Sequence, residues 1–183
     1  MNIAVIGGGA AGFFAAISAK EHHSDAAVTL FEKSSKVLSK VRISGGGRCN
    51  VTHACFDKDA LIKHYPRGEK FLKKSFHQFQ VKDTINWFTD RGVELKTEKD
   101  NRMFPISDNS QSIIDALTAA YDQLGGVLKI QSRITSLTPK NPGFELIFNK
   151  ETQFFDKVIV ATGGSPKEDG LQWLKALGHT IVK

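Results

Sequence analysis

The sequence predicts an α/β fold with a central parallel sheet, a crossover antiparallel β layer and a helical insertion. Residues 3–6 and residues 158–161 are short, fully apolar runs, which are typical of buried parallel strands. Residues 144–155 have the pattern of two antiparallel strands joined by a polar turn. Residues 57–92 have a helical pattern. We therefore expect one domain over residues 1–183, with the helical insertion at about 57–92.

A glycine-rich turn follows the first strand directly. Gly7, Gly9 and Gly12 have the spacing G-x-G-x-x-G, and residues 13–20 read as a helix rich in alanine. Gly7 allows the tight turn, Gly9 leaves room for a pyrophosphate against the backbone, and Gly12 lets the helix pack closely on the strand. The helix N-terminus offers N–H groups and partial positive charge to phosphates. The pattern therefore predicts a Rossmann-like, dinucleotide-binding turn.

An acidic residue closes the second strand. Residues 28–31 are apolar, and Glu32 follows them about twenty residues after the last glycine, as the dinucleotide fingerprint expects. A carboxylate here can accept hydrogen bonds from ribose hydroxyls and would repel a 2′-phosphate, which argues against NADP at this site. The alternative is a glycine turn that binds no ligand. Because strand, glycines, helix, second strand and acid occur together, the sequence favours a bound dinucleotide.

A second glycine-rich segment begins at Ser44, after residues 37–43. Three consecutive glycines inside a packed domain are entropically costly, and they make sense where backbone must lie against a flat ligand. Arg48 and Asn50 follow these glycines and could offer a cation and an amide to a reduced flavin ring or to a carboxylate substrate. The alternative is a flexible surface loop, but the position just after the acidic residue favours a functional segment.

These segments together resemble the BaiN/RdsA-like flavoproteins. Residues 7–12, residues 32–33 and above all residues 44–52, with the sequence Ser-Gly-Gly-Gly-Arg-Cys-Asn-Val-Thr, match that family. The family consists of NAD(P)/FAD-dependent oxidoreductases with two dinucleotide-binding domains, related in fold to glutathione reductase. The resemblance also includes the segment from Arg102 to Pro105 and the sequence Ala-Thr-Gly-Gly at residues 161–164.

The resemblance implies FAD as the cofactor, with NAD(P)H as a candidate electron donor. It implies that the pyrophosphate lies at the first glycine turn, the adenosine ribose at Glu32, and the second glycine segment beside the isoalloxazine. The main chain of Ile134 is the expected adenine contact. The residues expected to bind the cofactor are Gly7, Gly9, Ala10, Ala11, Gly12, Glu32, Lys33, Lys40, Ser44, Gly45, Gly46, Gly47, Arg48, Cys49, Asn50, Ile134, Ala161, Thr162, Gly163 and Gly164.

The sequence assigns no catalytic acid or base, and the candidate catalytic residues are Arg48, Asn50 and Arg102. Arg102 could hold an anionic substrate or stabilise negative charge on a reduced flavin; the alternative is a turn arginine in a surface salt bridge. Cys49 and Cys55 lack the spacing of the redox-active cysteine pair that disulfide reductases of this fold carry. A buried or loop thiol is therefore favoured over disulfide exchange.

The remaining elements are predicted in chain order. The helical insertion is expected to break near Pro66 and Gly68, and residues 93–98 alternate as a strand does. A helix capped near Ser110 should end at Gly125. Short strands are expected at residues 127–130 and 134–137, and a last helix at residues 171–177.

Composition excludes several classes of protein. The chain has 183 residues, 40% of them hydrophobic, and two cysteines, which do not make a disulfide framework. It has no convincing signal peptide and no apolar run that could span a bilayer, so a cytoplasmic protein is expected. No metal-ligand cluster is evident. The net charge is +6, but the basic residues look scattered, so nucleic acid is not the expected partner.

The expected function is that of an FAD-dependent oxidoreductase that transfers a hydride between a small organic substrate and the flavin. Members of the family continue beyond the length of this chain, so the chain is expected to be the N-terminal part of a longer flavoprotein. Two alternatives remain: a flavin-dependent RNA-modifying protein, and a truncated, non-catalytic dinucleotide-binding module. The sequence does not determine the oligomeric state.

Overall fold

A computed structural model describes residues 1–164 and 171–181 of the chain. The structure divides into two compact units, one formed by Met1–Ser39 and Leu117–Lys183 and the other by Lys40–Ala116. We call these the first and the second unit and describe each by itself. Within the described residues, no helix is long and apolar enough to cross a bilayer.

A four-stranded parallel sheet forms the centre of the first unit. Its strand order is β10-β1-β2-β6, and every neighbouring pair is parallel. The sheet confirms the predicted parallel architecture, and the first helix begins three residues before the predicted 13–20 because the alanines of the turn already belong to it. The elements are β1 (Asn2–Ile6), α1 (Ala10–His22), β2 (Ala27–Phe31), β6 (Val127–Lys129) and β10 (Lys157–Val160).

An antiparallel sheet covers one face of the parallel sheet. Its strands are β7 (Ile134–Pro139), β8 (Phe144–Phe148) and β9 (Glu151–Phe155), in the order β7-β8-β9. The two sheets bury one apolar cluster between them, formed by Ala4, Ile6, Phe31, Leu146, Phe148 and Phe155. This confirms the predicted crossover β layer, and burial of these side chains is the main force that joins the layers.

Helices cover the other face of the parallel sheet. Phe13 and Ile17 of α1 are buried there, and Tyr121, from the end of α6 (Ser110–Gln123), packs edge-on against the Phe13 ring. The Tyr121 hydroxyl lies 2.9 Å from the Val28 carbonyl oxygen and 3.0 Å from that of Val127, and it can donate to either. Burial raises the pKa of Tyr121 to about 12. The first unit is thus a three-layer helix–sheet–sheet arrangement. The last helix, α7 (Gln172–Ala176), is one residue shorter at each end than predicted.

The second unit contains the predicted helical insertion. After α2 (Ser39–Gly47) and β3 (Thr52–His53) come three helices, and β4 and β5 then join β3 in an antiparallel sheet of order β3-β5-β4. The insertion breaks between α3 and α4, as the proline and glycine there predict. Its apolar cluster includes Leu61, Val81 and Met103. The further elements are α3 (Lys58–Lys63), α4 (Glu69–Gln78), α5 (Val81–Thr89), β4 (Leu95–Thr97) and β5 (Arg102–Pro105).

The second glycine-rich segment is not the surface loop that the sequence left as an alternative, since it belongs to α2. Residues 44–46 interrupt α2, because Ser44 is extended and Gly45 and Gly46 have positive φ angles of 55° and 68°. Two left-handed residues in succession turn the chain sharply, which glycine allows at little steric cost. The segment is therefore a helix that ends in a tight glycine turn.

Candidate dinucleotide-binding cleft

Two of the three fingerprint glycines are required by the fold itself. Gly7 has φ +116°, and a Cβ atom there would lie 2.5 Å from the carbonyl oxygen of Ala161. A Cβ atom on Gly12 would lie 1.8 Å from the carbonyl oxygen of Gly7. Both contacts are with backbone, which cannot move aside, so α1 and β10 can approach the turn this closely only because these residues lack side chains.

The remaining fingerprint glycine, Gly9, is not required by the fold. Gly9 has φ −90° and ψ −175°, an extended conformation that most residues adopt. A Cβ atom on Gly9 would have no described atom within 4 Å. The space that this glycine leaves open lies at the N-terminus of α1, where a pyrophosphate could approach the backbone.

The N-terminus of α1 has the features of an anion site. No described side chain caps it, and its first turn contains no acidic residue. Ala10 and Ala11, the first two residues of the helix, are exposed. Their small side chains leave the first-turn N–H groups open, and the helix dipole adds partial positive charge there.

Glu32 lies beside the glycine turn. Its Oε2 accepts a hydrogen bond of 2.8 Å from the Gly8 N–H, and its Oε1 accepts from the N–H and the hydroxyl of Ser34 at 2.8 and 2.7 Å. Burial, the largest single effect, raises the pKa of Glu32, but these hydrogen bonds and the charge of Lys33 together outweigh it. The net pKa lies below its ordinary value, so the carboxylate is ionised at neutral pH and can accept hydrogen bonds.

A cleft of about 290 Å³ opens in the first unit next to these groups. It brings together seven residues that the sequence predicts as cofactor ligands: Gly7, Glu32, Lys33, Ile134, Thr162, Gly163 and Gly164. They come from the carboxyl ends of β1, β2 and β10 and from the start of β7. Ligands of open parallel sheets bind at this edge of the sheet. Ala161, the next residue after β10, donates its N–H to the Ile6 carbonyl oxygen at 2.8 Å and so holds the two strand ends together.

The cleft also has lining residues that the sequence analysis missed. Ser132 and Arg133 precede Ile134, and Trp173 lies on α7. Trp173 is half-buried and packs against the apolar cluster between the two sheets. The position of Arg133 directly before a predicted ligand was a usable signal. Nothing in the pattern of residues 171–177 indicated that Trp173 reaches the cleft.

The second glycine segment lies in the second unit. A Cβ atom on Gly45 would lie 2.7 Å from Cε1 of the Phe104 ring, whereas one on Gly46 would have no described atom within 4 Å. Gly47 also has positive φ, at 87°. Ser44 donates its hydroxyl to the Val41 carbonyl oxygen at 3.0 Å, and Lys40 is exposed at the start of the unit.

Arg48 is held by acidic side chains. Its guanidinium forms an ion pair with Glu98, reaches Asp108 at 3.4 Å, and lies 4.0 Å from the centre of the Phe104 ring. The hydrogen bond with Glu98 is the largest effect and raises the pKa of Arg48. Burial, the next largest, lowers it, and the charges of Glu98 and Asp108 and the hydrogen bond with Asp108 add to the net rise. Arg48 is therefore a fixed cation, already neutralised by two carboxylates.

The other candidates of this unit are placed differently. Arg102 is exposed, and its Nε donates to Asp100 at 2.7 Å, which is the arrangement of the surface salt-bridge alternative. Asn50 is exposed.

Cys49 is buried, which raises the pKa of its thiol, and both cysteines are free. A buried thiol with a raised pKa is a poor nucleophile, which disfavours disulfide exchange. The prediction that residues 40–50 and Arg102 serve the same cofactor as the cleft stays a prediction.

Residues 1–164 and 171–181 contain no group of three or more His, Cys, Asp or Glu side chains that could hold a metal ion.

Comparison with known proteins finds one matching family and similar curated proteins. The family model described as "HI0933-like protein Rossmann domain" matches residues 1–183. A 3-dehydro-bile acid delta(4,6)-reductase of Clostridium scindens is 26% identical over 98% of this chain and 44% of its own length. A ribosomal RNA dihydrouridine synthase of Escherichia coli is 29% identical over 87% of this chain and 38% of its own length. The chain thus spans less than half the length of these relatives.

A solved structure shares the fold. The enzyme CtdE, determined in complex with FAD and a substrate, superposes with a TM-score of 0.52, with 16% identity over 89% of this chain and 38% of its own length. At this identity the likeness concerns the fold alone.

Proposed function

Because the chain belongs to the HI0933-like Rossmann-domain family, we propose that it is the FAD-binding part of a flavin-dependent oxidoreductase. This membership confirms the resemblance drawn from the two glycine-rich segments. The observation that carries the proposal is Gly9: its surroundings would accept a side chain, and the space that it leaves open at the N-terminus of α1 is where a pyrophosphate would bind.

The residues of the cleft fit the adenosine diphosphate half of FAD. In this proposal, the N–H groups of Ala10 and Ala11 at the start of α1 bind the pyrophosphate. The ionised Glu32 accepts hydrogen bonds from the ribose hydroxyls, and Ile134 contacts the adenine through its main chain. Thr162, Gly163 and Gly164 also line the cleft.

FAD, when bound, supplies hydride transfer at its flavin ring, and the protein supplies binding, orientation and charge. The proposed reaction is hydride exchange with a small organic substrate, with NAD(P)H as the electron donor. The name of the bile acid reductase supports a small-molecule substrate. Arg48 and Arg102 remain the candidates for stabilising negative charge in that reaction, and Asn50 the candidate amide.

This proposal predicts that the first unit recognises the adenosine diphosphate half of FAD. Calorimetric titration of the chain with FAD and ADP should show binding, and ADP should compete with FAD. Because Trp173 lines the cleft, ADP should also change tryptophan fluorescence, and a Trp173→Phe variant should bind ADP in the calorimeter without that change. The proposal fails if FAD does not bind, or if FMN displaces FAD and ADP does not.

A second candidate function is flavin-dependent modification of RNA. The relative named a ribosomal RNA dihydrouridine synthase supports it, and so does the distribution of charge. Residues 58–82 contain seven Lys or Arg residues and two Asp or Glu residues, a net charge of +5 out of +6 for the whole chain. This local excess of positive charge weakens the case against a nucleic acid partner.

A further inference from the structure

The basic residues of the second unit lie on one face of a helix. Lys70, Lys73, Lys74 and His77 of α4 are spaced i, i+3, i+4 and i+7, which places them on a single face. None of the ten residues of α4, all of them described, is buried. The helix therefore offers this cationic face, which we call the α4 basic face, to solvent.

Two apolar residues of α4, Leu72 and Phe76, are on a different side. Phe76 packs against Tyr65, with ring centres 5.6 Å apart, and against the apolar cluster of the second unit. Leu72 lies against Gly68 at the start of the helix. Inward packing thus uses these two side chains and none of the residues of the α4 basic face.

Aromatic side chains lie exposed among these basic residues. Phe71 is 85% exposed, which is the largest value among the large hydrophobic residues of the described chain, and Phe56 is 55% exposed. Phe71 precedes Lys74 by three residues, so it borders the α4 basic face. An exposed aromatic ring beside cations is the arrangement on which proteins stack the bases of single-stranded nucleic acids.

A cleft of about 360 Å³ lies between α3 and α4. Lys58, Lys73 and His77 line it together with Phe56, and the Lys58 Nζ lies 3.2 Å from the His77 Nδ1. Two acids also line it. Asp57 accepts from the Ala60 N–H at 2.7 Å and so caps α3, while Asp59 lies 3.6 Å from the Lys73 Nζ, with both side chains more than 60% exposed.

An exposed ion pair of this kind contributes little to stability, so a phosphate can take the place of Asp59 at Lys73 at small cost. The cleft therefore offers two lysines and a histidine to a backbone phosphate, with an exposed ring at its edge. We infer that the α4 basic face, with the adjoining cleft and Phe71, binds single-stranded RNA. This inference rests on the second candidate function and names the surface on which the RNA would lie.

RNA is favoured over a membrane surface because the outward side chains are lysines interrupted by single aromatic rings. A helix that lies on a membrane presents a continuous apolar stripe, and the apolar side chains Leu72 and Phe76 of α4 are turned to the protein.

The test is fluorescence anisotropy with a labelled twelve-nucleotide oligo(U) at several salt concentrations. The charge variant replaces Lys70, Lys73 and Lys74 by Gln. Its matched control replaces Lys36, Lys99 and Lys150, which are exposed elsewhere, so that both variants lose the same net charge. We expect the charge variant to bind at least about tenfold more weakly and its salt slope to fall by about 2, since each phosphate contact on a single strand contributes about 0.7. The control should change the affinity less than about threefold, because a uniform loss of charge acts only weakly at a distance.

A Phe71→Ala variant separates stacking from charge. It should weaken binding about 5- to 150-fold, since stacking on an aromatic ring contributes about 1–3 kcal/mol per base, and it should leave the salt slope unchanged. FAD binding by the same proteins, measured by calorimetry, should equal that of the wild type, so that failure of the RNA surface is distinguishable from failure of the cofactor site.

The inference is overturned if the wild type does not bind oligo(U) at low salt, or if the control variant loses as much affinity as the charge variant. It is also overturned if anionic vesicles bind the protein and oligo(U) does not compete with them. A further contrary result is that Phe71→Ala abolishes self-association in light scattering and leaves oligo(U) binding unchanged.

Discussion

Replacement of Gly9 by alanine separates the needs of the fold from the needs of a ligand. In the unliganded protein the new methyl group would meet no described atom within 4 Å. The backbone at Gly9, with φ −90° and ψ −175°, accepts alanine without strain. Two small effects oppose each other: loss of glycine as helix cap costs about 1 kcal/mol, and reduced freedom of the unfolded chain stabilises by about 0.4–1 kcal/mol. The free energy of unfolding should therefore change by less than about 0.5–1 kcal/mol.

The effect on FAD affinity should be much larger. The methyl group would occupy the space through which a pyrophosphate reaches the N-terminus of α1. Loss of one charge-assisted hydrogen bond costs about 1.5–3 kcal/mol, so we expect an increase in Kd of roughly 10- to 150-fold. Calorimetry gives the affinity, and urea denaturation gives the stability.

Two further variants serve as controls. Gly68 also caps a helix, α4, and lies in the second unit. A Cβ atom there would lie 3.2 Å from Cδ1 of Leu72, the end of a flexible side chain, so Gly68→Ala should destabilise slightly more than Gly9→Ala and have no effect on FAD binding. Gly12→Ala should destabilise by about 3 kcal/mol or more, because its Cβ would lie 1.8 Å from a backbone oxygen. The reasoning is refuted if Gly9→Ala stays folded and binds FAD as the wild type does, or if it unfolds as readily as Gly12→Ala.

Three other predictions concern single groups. Glu32→Gln should weaken ADP binding about tenfold, since a charged acceptor gains roughly 1.4 kcal/mol over a neutral one. Because the folded-state pKa of Glu32 is lowered, its contribution to stability is present above pH 4.5 and is lost as the pH falls through the lowered pKa. The difference in free energy of unfolding between the wild type and Glu32→Gln should therefore shrink in acid. A constant difference in acid denaturation would contradict this. Tyr121→Phe should lower the free energy of unfolding, measured by urea denaturation, by about 1–2 kcal/mol. The raised pKa favours the neutral phenol in the folded state. Wild-type stability should therefore fall between pH 10 and about 12, while that of Tyr121→Phe does not. Cys55 should react with a thiol reagent well before Cys49, whose burial raises its thiol pKa; equal rates in the Cys49→Ser and Cys55→Ser variants would count against a buried Cys49.

Much of the first unit could be predicted from local pattern. Buried parallel strands are continuous apolar runs, and Gly12 is required by its contact with Gly7, which is close to it in the chain. Turn, helix and acidic residue therefore appear in the sequence in the order in which they meet in space. Of the predicted ligands that meet in the cleft, Gly7 and Glu32 belong to this local pattern, whereas Ile134 and Thr162 lie in or next to distant strands and were expected from the family resemblance.

The second unit was less predictable, because its charged side chains choose partners that are distant in the chain. Arg48 meets Glu98, fifty residues further on, and no spacing rule links the two. The turn at Gly45 needs its glycine because of the Phe104 ring, which the sequence could not indicate.

By itself, the sequence determined the strand–turn–helix–strand order, the positions of the cofactor glycines and the acid that follows them, because those features depend on neighbours along the chain. Only the tertiary structure decided which glycine the fold does not need, that Trp173 and Arg133 reach the cleft, and that the lysines of α4 share an exposed face with Phe71. Those facts depend on what occupies the space around each side chain, and that space is filled by residues from remote parts of the chain.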